Sequence, residues 1–309
     1  MTNPIRLSRE ELESYVAAHR RALRARQKKE PMTPALEKDL QPLHALAAGG
    51  IDLSDADLKQ MNLQLVDFSG VILRGADLRG ATLSGAKFSK ADLREARLRR
   101  AVFQNTDFTQ ADMRGVEIQD AQLTQGIFHH TRLEAVDFRK AKISGGDFSH
   151  ALLRDTLWNQ CDLRGAIFTQ ADLQGANLGE ATLAGAVMDG AMLEKAVFTK
   201  AQLVQASLKA ARAAGANFSH ANLTGATATG ADFSGANFRN SVLKDAHLQQ
   251  ADFNGADLRT HFLNADFARA ILDGANMKGT NTGDANLSGT ALDPLRQDRL
   301  VGAIKRIVT

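Results

Sequence analysis

Aspartates recur at one position of a short repeated pattern, immediately before a large apolar residue, and seven of them are the candidates for acid–base chemistry. Carboxylates are common general acids and bases, but aspartate at a chain reversal also accepts hydrogen bonds from nearby backbone. Turn hydrogen bonding and solvation account for this placement better than acid–base chemistry. We find no credible catalytic set and therefore predict that the chain is not an enzyme. The seven residues are Asp57, Asp77, Asp92, Asp112, Asp137, Asp172 and Asp232.

Three histidines form the second group that could do chemistry. His130 and His150 are twenty residues apart and would stack on one face of a twenty-residue coil, with His129 and Asp147 nearby. Two imidazoles and a carboxylate could bind a transition metal, but exposed histidines without a role are commoner. We predict no metal site and no cofactor. Cys161 falls at a small inward position and is expected to be an inert core residue. Trp158 falls at a centre position and is expected to lie in the core as well.

The arginines give the most informative surface signal. When residues twenty apart are grouped together, one set of arginines directly follows the large apolar residue on one face of the coil. A second set of arginines lies on the adjacent face. Nine basic and five acidic residues lie between positions 74 and 114, which predicts a positive corner. Interleaved aspartates could instead pair with these arginines in solvated ladders that contribute little each. The predicted interaction residues are Arg74, Arg79, Arg94, Arg99, Arg114 and Arg154.

A second candidate contact surface is apolar. Ile127, Ile167 and Val187 fall on one face of the twenty-residue coil at positions that point outward. Exposed apolar residues in line can mark a contact with another protein.

All these residues are positioned by a five-residue spacing. From Leu53 to Leu258 every fifth residue is the centre of a repeat such as 171–175 (ADLQG). This run has 42 consecutive repeats, and 29 have alanine two places before the centre, so one environment recurs throughout. A period of five fits neither a strand nor a helix, but it fits a chain that turns a corner once per repeat. The small inward residue is needed because coils would stack at strand spacing, about 4.8 Å.

The repeats 76–80 (ADLRG), 171–175 (ADLQG) and 236–240 (ANFRN) resemble the A(D/N)LxX motif of the pentapeptide repeat proteins. The resemblance covers about four fifths of the chain. It implies an all-β solenoid, a right-handed quadrilateral β-helix with four repeats to a coil. We expect about twelve coils over residues 51–292, at strand spacing. The spacing slips once near Arg259–His261, where one residue is lost and a local distortion is expected.

The two ends do not carry the repeat. Residues 1–50 are predicted to form a helical cap, in which Ser8 and Glu11 make a capping box and the first helix runs to about Lys29. A second short helix would end at Gly49-Gly50. Residues 293–309 are predicted to form a C-terminal helix that either caps the last coil or pairs with a second copy of the chain. Its apolar residues are Leu295, Leu300, Val301 and Ile304.

The composition limits which binding partners and which cellular compartment are expected. A net charge of +3 on 309 residues does not by itself imply nucleic acid or membrane. A single cysteine excludes an intramolecular disulfide framework and fits a reducing compartment. The first fifteen residues show no apolar stretch of a signal peptide, and nowhere are eighteen apolar residues consecutive. We therefore expect a cytoplasmic protein, a monomer or a homodimer, with no membrane or nucleic-acid partner.

The leading hypothesis is a non-enzymatic protein–protein interaction scaffold or adaptor. Helices followed by such repeats are also similar to bacterial accessory proteins of secretion effectors, including those of type VI systems. The alternative, implied by the family resemblance, is a DNA mimic that protects type II topoisomerases such as gyrase from quinolones. A DNA mimic needs an acidic surface, whereas residues 51–292 hold 27 acidic and 25 basic residues.

Overall fold

The computed structural model describes residues 5–6, 8–27 and 51–292. The chain divides into two compact units, Met1–Leu152 and Leu153–Thr309, which we call the N-terminal and C-terminal units. No helix in the described ranges is long and apolar enough to cross a lipid bilayer.

Two of the predicted elements lie outside these described residues. They are the second helix that precedes Gly49-Gly50 and the C-terminal helix of residues 293–309. The predicted cap or homodimer contact at Leu295, Leu300, Val301 and Ile304 therefore stays a prediction.

The N-terminal unit begins with strand β1 (Ile5–Arg6), helix α1 (Arg9–Gln27) and strand β2 (Ile51–Asp52). The capping box is confirmed: the Ser8 amide donates to Glu11 Oε2 at 2.7 Å, and the Glu11 amide donates to Ser8 Oγ at 3.2 Å. These bonds satisfy two amides that the first turn of a helix leaves without partners.

Helix α1 and strand β1 both contact the start of the repeats. Leu12 and Val16 of α1 are buried, and Arg9 donates from Nη2 to the Lys59 carbonyl at 3.4 Å. Strand β1 pairs in parallel with β2, which gives the first repeat a backbone partner where an unpaired edge would otherwise lie. The extent of a cap over residues 1–50 stays a prediction.

Parallel backbone hydrogen bonds join positions twenty residues apart. In the N-terminal unit, Asp57 bridges to Asp77 and Asp77 bridges to Arg97; in the C-terminal unit, Asp172 bridges to Met192. Twenty residues are four repeats, so each coil has four sides. Each side is a single bridge rather than a longer strand because the chain turns after every repeat.

Each turn is closed by a hydrogen bond over three residues. The Ala76 amide donates to the Leu73 carbonyl at 3.1 Å, and Gly75 between them has a φ of +66°. A positive φ at the third residue of a turn is the geometry of type II. Non-glycine residues such as Arg100 and Ala210 adopt the same left-handed conformation at this position, with φ values of +60° and +52°.

The core consists of the centre and small positions of the repeats. Five phenylalanines of the N-terminal unit stack on successive coils with ring centroids 4.4–5.2 Å apart. Such stacked rings add a packing contribution beyond area burial. The five residues are Phe68, Phe88, Phe108, Phe128 and Phe148.

Two unusual residues of the C-terminal unit lie in its core, as the sequence predicts. Trp158 is fully buried, and its Nε1 donates to Thr156 Oγ1 at 2.7 Å, so its one polar group has a partner. Cys161 is 2% exposed at a small inward position.

The slip near residue 260 is confirmed as a local distortion. Asn222 bridges to Val242 twenty residues on, whereas Val242 bridges to His261 only nineteen residues on. Thr260 turns inward at the missing residue and is 3% exposed. Its hydroxyl donates to the Ser241 carbonyl, and the two hydroxyls lie 2.9 Å apart. The buried polar groups at the slip are therefore paired, and pairing resumes beyond it.

The left-handed turns predict a stability test at Gly235. Its φ is +62°, and no heavy atom lies within 4 Å of the position that a Cβ would take, so only the backbone conformation resists substitution. We expect Gly235→Ala to lower the free energy of unfolding by about 1 kcal/mol. Gly235→Asn, at the same position, should lower the free energy of unfolding by less than half as much, because asparagine tolerates this conformation. Urea unfolding followed by circular dichroism measures both, and equal losses would contradict the account.

Candidate interaction surface

The seven candidate aspartates act at the turns, and their structural interpretation is confirmed. In each, Oδ1 accepts a hydrogen bond from the backbone amide two residues on, at 2.9–3.3 Å. The aspartate thereby fixes the corner that follows it. The donors are the amides of Lys59, Arg79, Arg94, Arg114, Arg139, Gln174 and Ser234.

Three of the predicted interaction arginines are held by the aspartate of their own repeat. In Arg79, Arg94 and Arg114, Nε donates to Oδ1 at 2.8 Å and Nη2 donates to Oδ2 at 2.5–2.6 Å. We call this bidentate pair a fork. Forks arise because an aspartate before the centre and an arginine after it flank the same corner. Three further forks are Asp137–Arg139, Asp162–Arg164 and Asp257–Arg259.

The forks lower the pKa of their carboxyl groups. The hydrogen bond from Arg94 lowers the pKa of Asp92 below its usual value, against the opposing effect of burial. The pKa of Asp77 is lowered in the same way by Arg79. Both carboxylates therefore stay ionised at lower pH than a free aspartate would.

The other three predicted arginines pair with carboxylates of a neighbouring coil. Arg74 Nη2 lies 3.1 Å from Glu95 Oε1, and Arg99 Nε lies 3.2 Å from Glu117 Oε2. In the C-terminal unit, Arg154 Nε donates to a buried Asp172 carboxylate at 2.5 Å.

Every one of the six predicted arginines thus has an acidic partner. The positive corner that the sequence predicts contains interleaved ion pairs, and the interaction role of these arginines stays a prediction.

An open cavity of about 470 Å³ lies on the corner of the N-terminal unit. It brings together two of the predicted residues, Arg79 and Arg99. We call it the Gly80 notch. Its lining residues are Lys59, Gln60, Arg79, Gly80, Arg99, Arg100 and Asp120.

Arg100 lies within the basic stretch 74–114 that the sequence indicates, but sequence reasoning missed Lys59 and Gly80 as parts of one site. The sequence did contain a signal for this site. The residues at the left-handed turn position of one face, each twenty residues after the last, are Gln60, Gly80, Arg100 and Asp120. A glycine between long side chains on adjacent coils leaves a gap.

The histidines stack as the sequence predicts. The rings of His130 and His150 are 4.8 Å apart with 13° between their planes, and His129 Nε2 lies 2.8 Å from Asp147 Oδ2. Burial raises the pKa of Asp147, but hydrogen bonds from His129 and Ser149 outweigh it and hold the pKa below its usual value. Among the described residues, no group of three or more His, Cys, Asp or Glu side chains could hold a metal ion.

The apolar candidates fall in both units. Ile127 of the N-terminal unit is 39% exposed. In the C-terminal unit, Ile167 and Val187 bridge to each other and are half-buried. Half-buried side chains offer a partner less apolar area than the sequence suggests.

A model of pentapeptide repeats matches the chain in eight copies between residues 51 and 289. The chain belongs to the pentapeptide repeat family. Right-handed quadrilateral β-helices are the fold of this family, in keeping with the four repeats per coil. The matched segments are residues 51–89, 76–115, 117–155, 147–183, 171–209, 201–240, 221–259 and 259–289.

Solved structures of other pentapeptide repeat proteins are similar to this chain. HetL from the cyanobacterium Nostoc sp. strain PCC 7120, which is involved in regulation of heterocyst differentiation, is 25% identical over 77% of this chain and 93% of its own, with a TM-score of 0.33. QnrB1, a plasmid-mediated fluoroquinolone resistance protein, is 18% identical over 76% of this chain and 95% of its own, with a TM-score of 0.29. A search of curated proteins found no match.

A third similar structure is a protein of the Arabidopsis thaliana thylakoid lumen. It is 34% identical over 33% of this chain and 68% of its own, with a TM-score of 0.25.

The forks predict a pH dependence of stability. The folded-state pKa of Asp92 lies below its unfolded value, so the fork stabilises the protein above the unfolded-state pKa. That contribution is lost as the pH falls through the folded-state pKa. We expect Asp92→Asn to lower Tm by about 1–3 °C at neutral pH, because pairs near the surface contribute little each. The variant should also show a smaller drop in Tm on acidification.

Asp55→Asn is the matched control for this prediction. Asp55 is exposed and has no ion pair within the described part of the chain. Its substitution should lower Tm at neutral pH by less than Asp92→Asn does, because it breaks no ion pair. A native-like pH dependence in Asp92→Asn, measured by calorimetry from neutral to acidic pH, would show that the fork does not stabilise the fold.

Proposed function

We propose that this pentapeptide repeat protein is a non-enzymatic scaffold that binds another protein. The observation that carries the proposal is the fork, which holds surface arginines in fixed positions on successive coils. Arginine is enriched among residues that dominate binding energy at interfaces. A long side chain that is already ordered loses less conformational freedom on binding.

The proposed interface uses the arginines of the N-terminal unit. Each fork engages Nε and Nη2 of the guanidinium and leaves Nη1 for another acceptor. Arg74 and Arg99 are bound by Glu95 and Glu117, whose side chains are 64% and 47% exposed, so a partner carboxylate can exchange with them. In the C-terminal unit, Arg154 is paired through Nε with the buried Asp172 carboxylate, so only its remaining donors are offered to a partner there.

A protein partner suits this surface better than nucleic acid does. Unpaired cations on a protein favour nucleic-acid binding because they release the counterions that surround the phosphates. The forks place a carboxylate against each of Arg79, Arg94 and Arg114, which weakens their pull on a phosphate chain.

The first class of partner to test is a secreted effector protein and its delivery components, such as those of type VI systems. This finer proposal is motivated by the N-terminal helix that precedes the repeats.

An affinity purification from the organism that encodes the chain tests the scaffold. We expect the native chain to retain specific proteins, and the double variant Arg74→Gln/Arg99→Gln to retain at least about tenfold less of them. The variant leaves the forks intact because neither arginine pairs with the aspartate of its own repeat.

Arg239→Gln is the matched control for this purification. Arg239 lies in the C-terminal unit at the same repeat position and has no side-chain ion pair to any described residue. It should keep the partners. Equal retention by all three chains, or no protein enriched over a bare resin, would overturn the proposal.

The topoisomerase alternative makes a separate prediction. A DNA mimic must present a continuous negative surface to the enzyme, whereas forks interrupt the carboxylates of this surface with guanidinium groups. We expect micromolar protein neither to inhibit DNA supercoiling by gyrase nor to protect gyrase from ciprofloxacin. Inhibition or protection in that assay would favour the alternative.

A further inference from the structure

The Gly80 notch exists because one coil lacks a side chain. Gln60, Gly80 and Arg100 occupy equivalent left-handed positions on successive coils, with φ values of +58°, +68° and +60°. The side chains at 60 and 100 are therefore separated by two coil spacings, about 10 Å. A Cβ at position 80 would meet only Gln60 Cγ, at 3.6 Å, so the space is open to a small group.

The lining of the notch is strongly basic. It contains Lys59, Arg79, Arg99 and Arg100, and its one acidic member is Asp120. Three of the cations have local partners: the Lys59 ammonium lies 3.2 Å from Asp57, Arg79 is in a fork, and Arg99 lies against Glu117.

Arg100 differs from these three cations. It is exposed, and it has no hydrogen bond or ion pair from its side chain to any described residue. A guanidinium carries five donors arranged to match a carboxylate in a bidentate pair. Arg100 is therefore the cation of the notch with its full donor set open, whereas the charges of the other three are each countered by a carboxylate.

We propose that the Gly80 notch binds an aspartate or glutamate side chain from an acidic segment of a partner protein. The carboxylate pairs with Arg100, and the partner backbone crosses the gap left by Gly80. This inference rests on the proposed scaffold function and assigns the partner's chemistry at one site.

The surroundings favour a short acidic segment over a nucleic acid. Asp57, Asp120 and Glu117 border the cations. Duplex DNA presents a negative charge at every 1.7 Å or so of its axis, so its backbone would meet those carboxylates as well as the arginines. A single carboxylate of the partner can pair with Arg100 while Asp57, Asp120 and Glu117 stay hydrated.

Two substitutions test the notch without disturbing the coil. Arg100→Gln removes the open guanidinium, and glutamine already occupies this left-handed position at residues such as Gln60. Gly80→Asn fills the gap with a residue that tolerates the conformation. Lys195→Gln is the control, because Lys195 is an exposed cation of the C-terminal unit at an equivalent turn position with a φ of +60°, and it does not line the notch.

The measurement is the fluorescence anisotropy of a labelled oligoglutamate peptide with the full chain. We expect salt-sensitive binding that Arg100→Gln and Gly80→Asn each weaken by about tenfold or more. Lys195→Gln should stay within about twofold of the native affinity, since an exposed charge that does not line the notch contributes little. Circular dichroism checks that each variant folds.

Three results would overturn the inference: no peptide binding, equal affinities in all variants, or tighter binding of a single-stranded or duplex oligonucleotide than of the peptide. Inorganic phosphate that binds as tightly as the peptide would also overturn it, because the notch would then be a simple anion site. The scaffold proposal is tested separately: partners retained equally by native chain and Arg100→Gln would refute the notch while leaving the scaffold standing.

Discussion

The distance between successive coils is the constraint on which the rest of the structure depends. Parallel bridges join positions twenty residues apart, such as Asp57 and Asp77, where the Leu58 amide donates to the Asp77 carbonyl at 2.9 Å. These bonds hold adjacent coils at strand spacing. Each side chain therefore has the equivalent side chains of the two adjacent coils above and below it, at nearly van der Waals distance. Inward, this spacing favours a small residue, most often alanine, beside each large one, and it lets phenylalanine rings stack at 4.4–5.2 Å. Outward, it brings charged side chains of neighbouring coils within reach of each other.

The same spacing explains why arginines are common on the surface without making it uniformly positive. An aspartate that fixes a turn through its backbone bond still has a second oxygen free, and an arginine two residues on can use both oxygens in a fork. The carboxylate thus serves the fold and orders the guanidinium at once. A single exposed pair contributes little stability, but an array of ordered arginines is a surface suited to binding.

What the sequence predicts well are the features that follow from the period. Burial of Trp158 and Cys161, stacking of His130 on His150, and the distortion at Thr260 all depend on counting by five or twenty. The capping box of Ser8 and Glu11 is equally local, because its bonds span three residues. Backbone hydrogen bonds enforce these placements, so side-chain freedom does not alter them.

The pairing of long side chains could not be predicted in the same way. Asp77 lies within reach of Arg79, Arg97 and Lys59, and the choice among them depends on rotamers that differ little in energy. The sequence therefore left open whether the corner was a free positive surface or a set of ion pairs. The notch was missed for another reason: it is defined by the side chain that Gly80 lacks.

The central claim is that forks hold surface arginines in place before any partner binds. The most direct measurement is ¹⁵N NMR relaxation of the arginine Nε–Hε groups in the isolated protein. The account predicts that Arg79, Arg94 and Arg114 have order parameters that approach the value of rigid backbone, about 0.85, and that Arg100 falls below about 0.6. Low order parameters for all four arginines alike would contradict it.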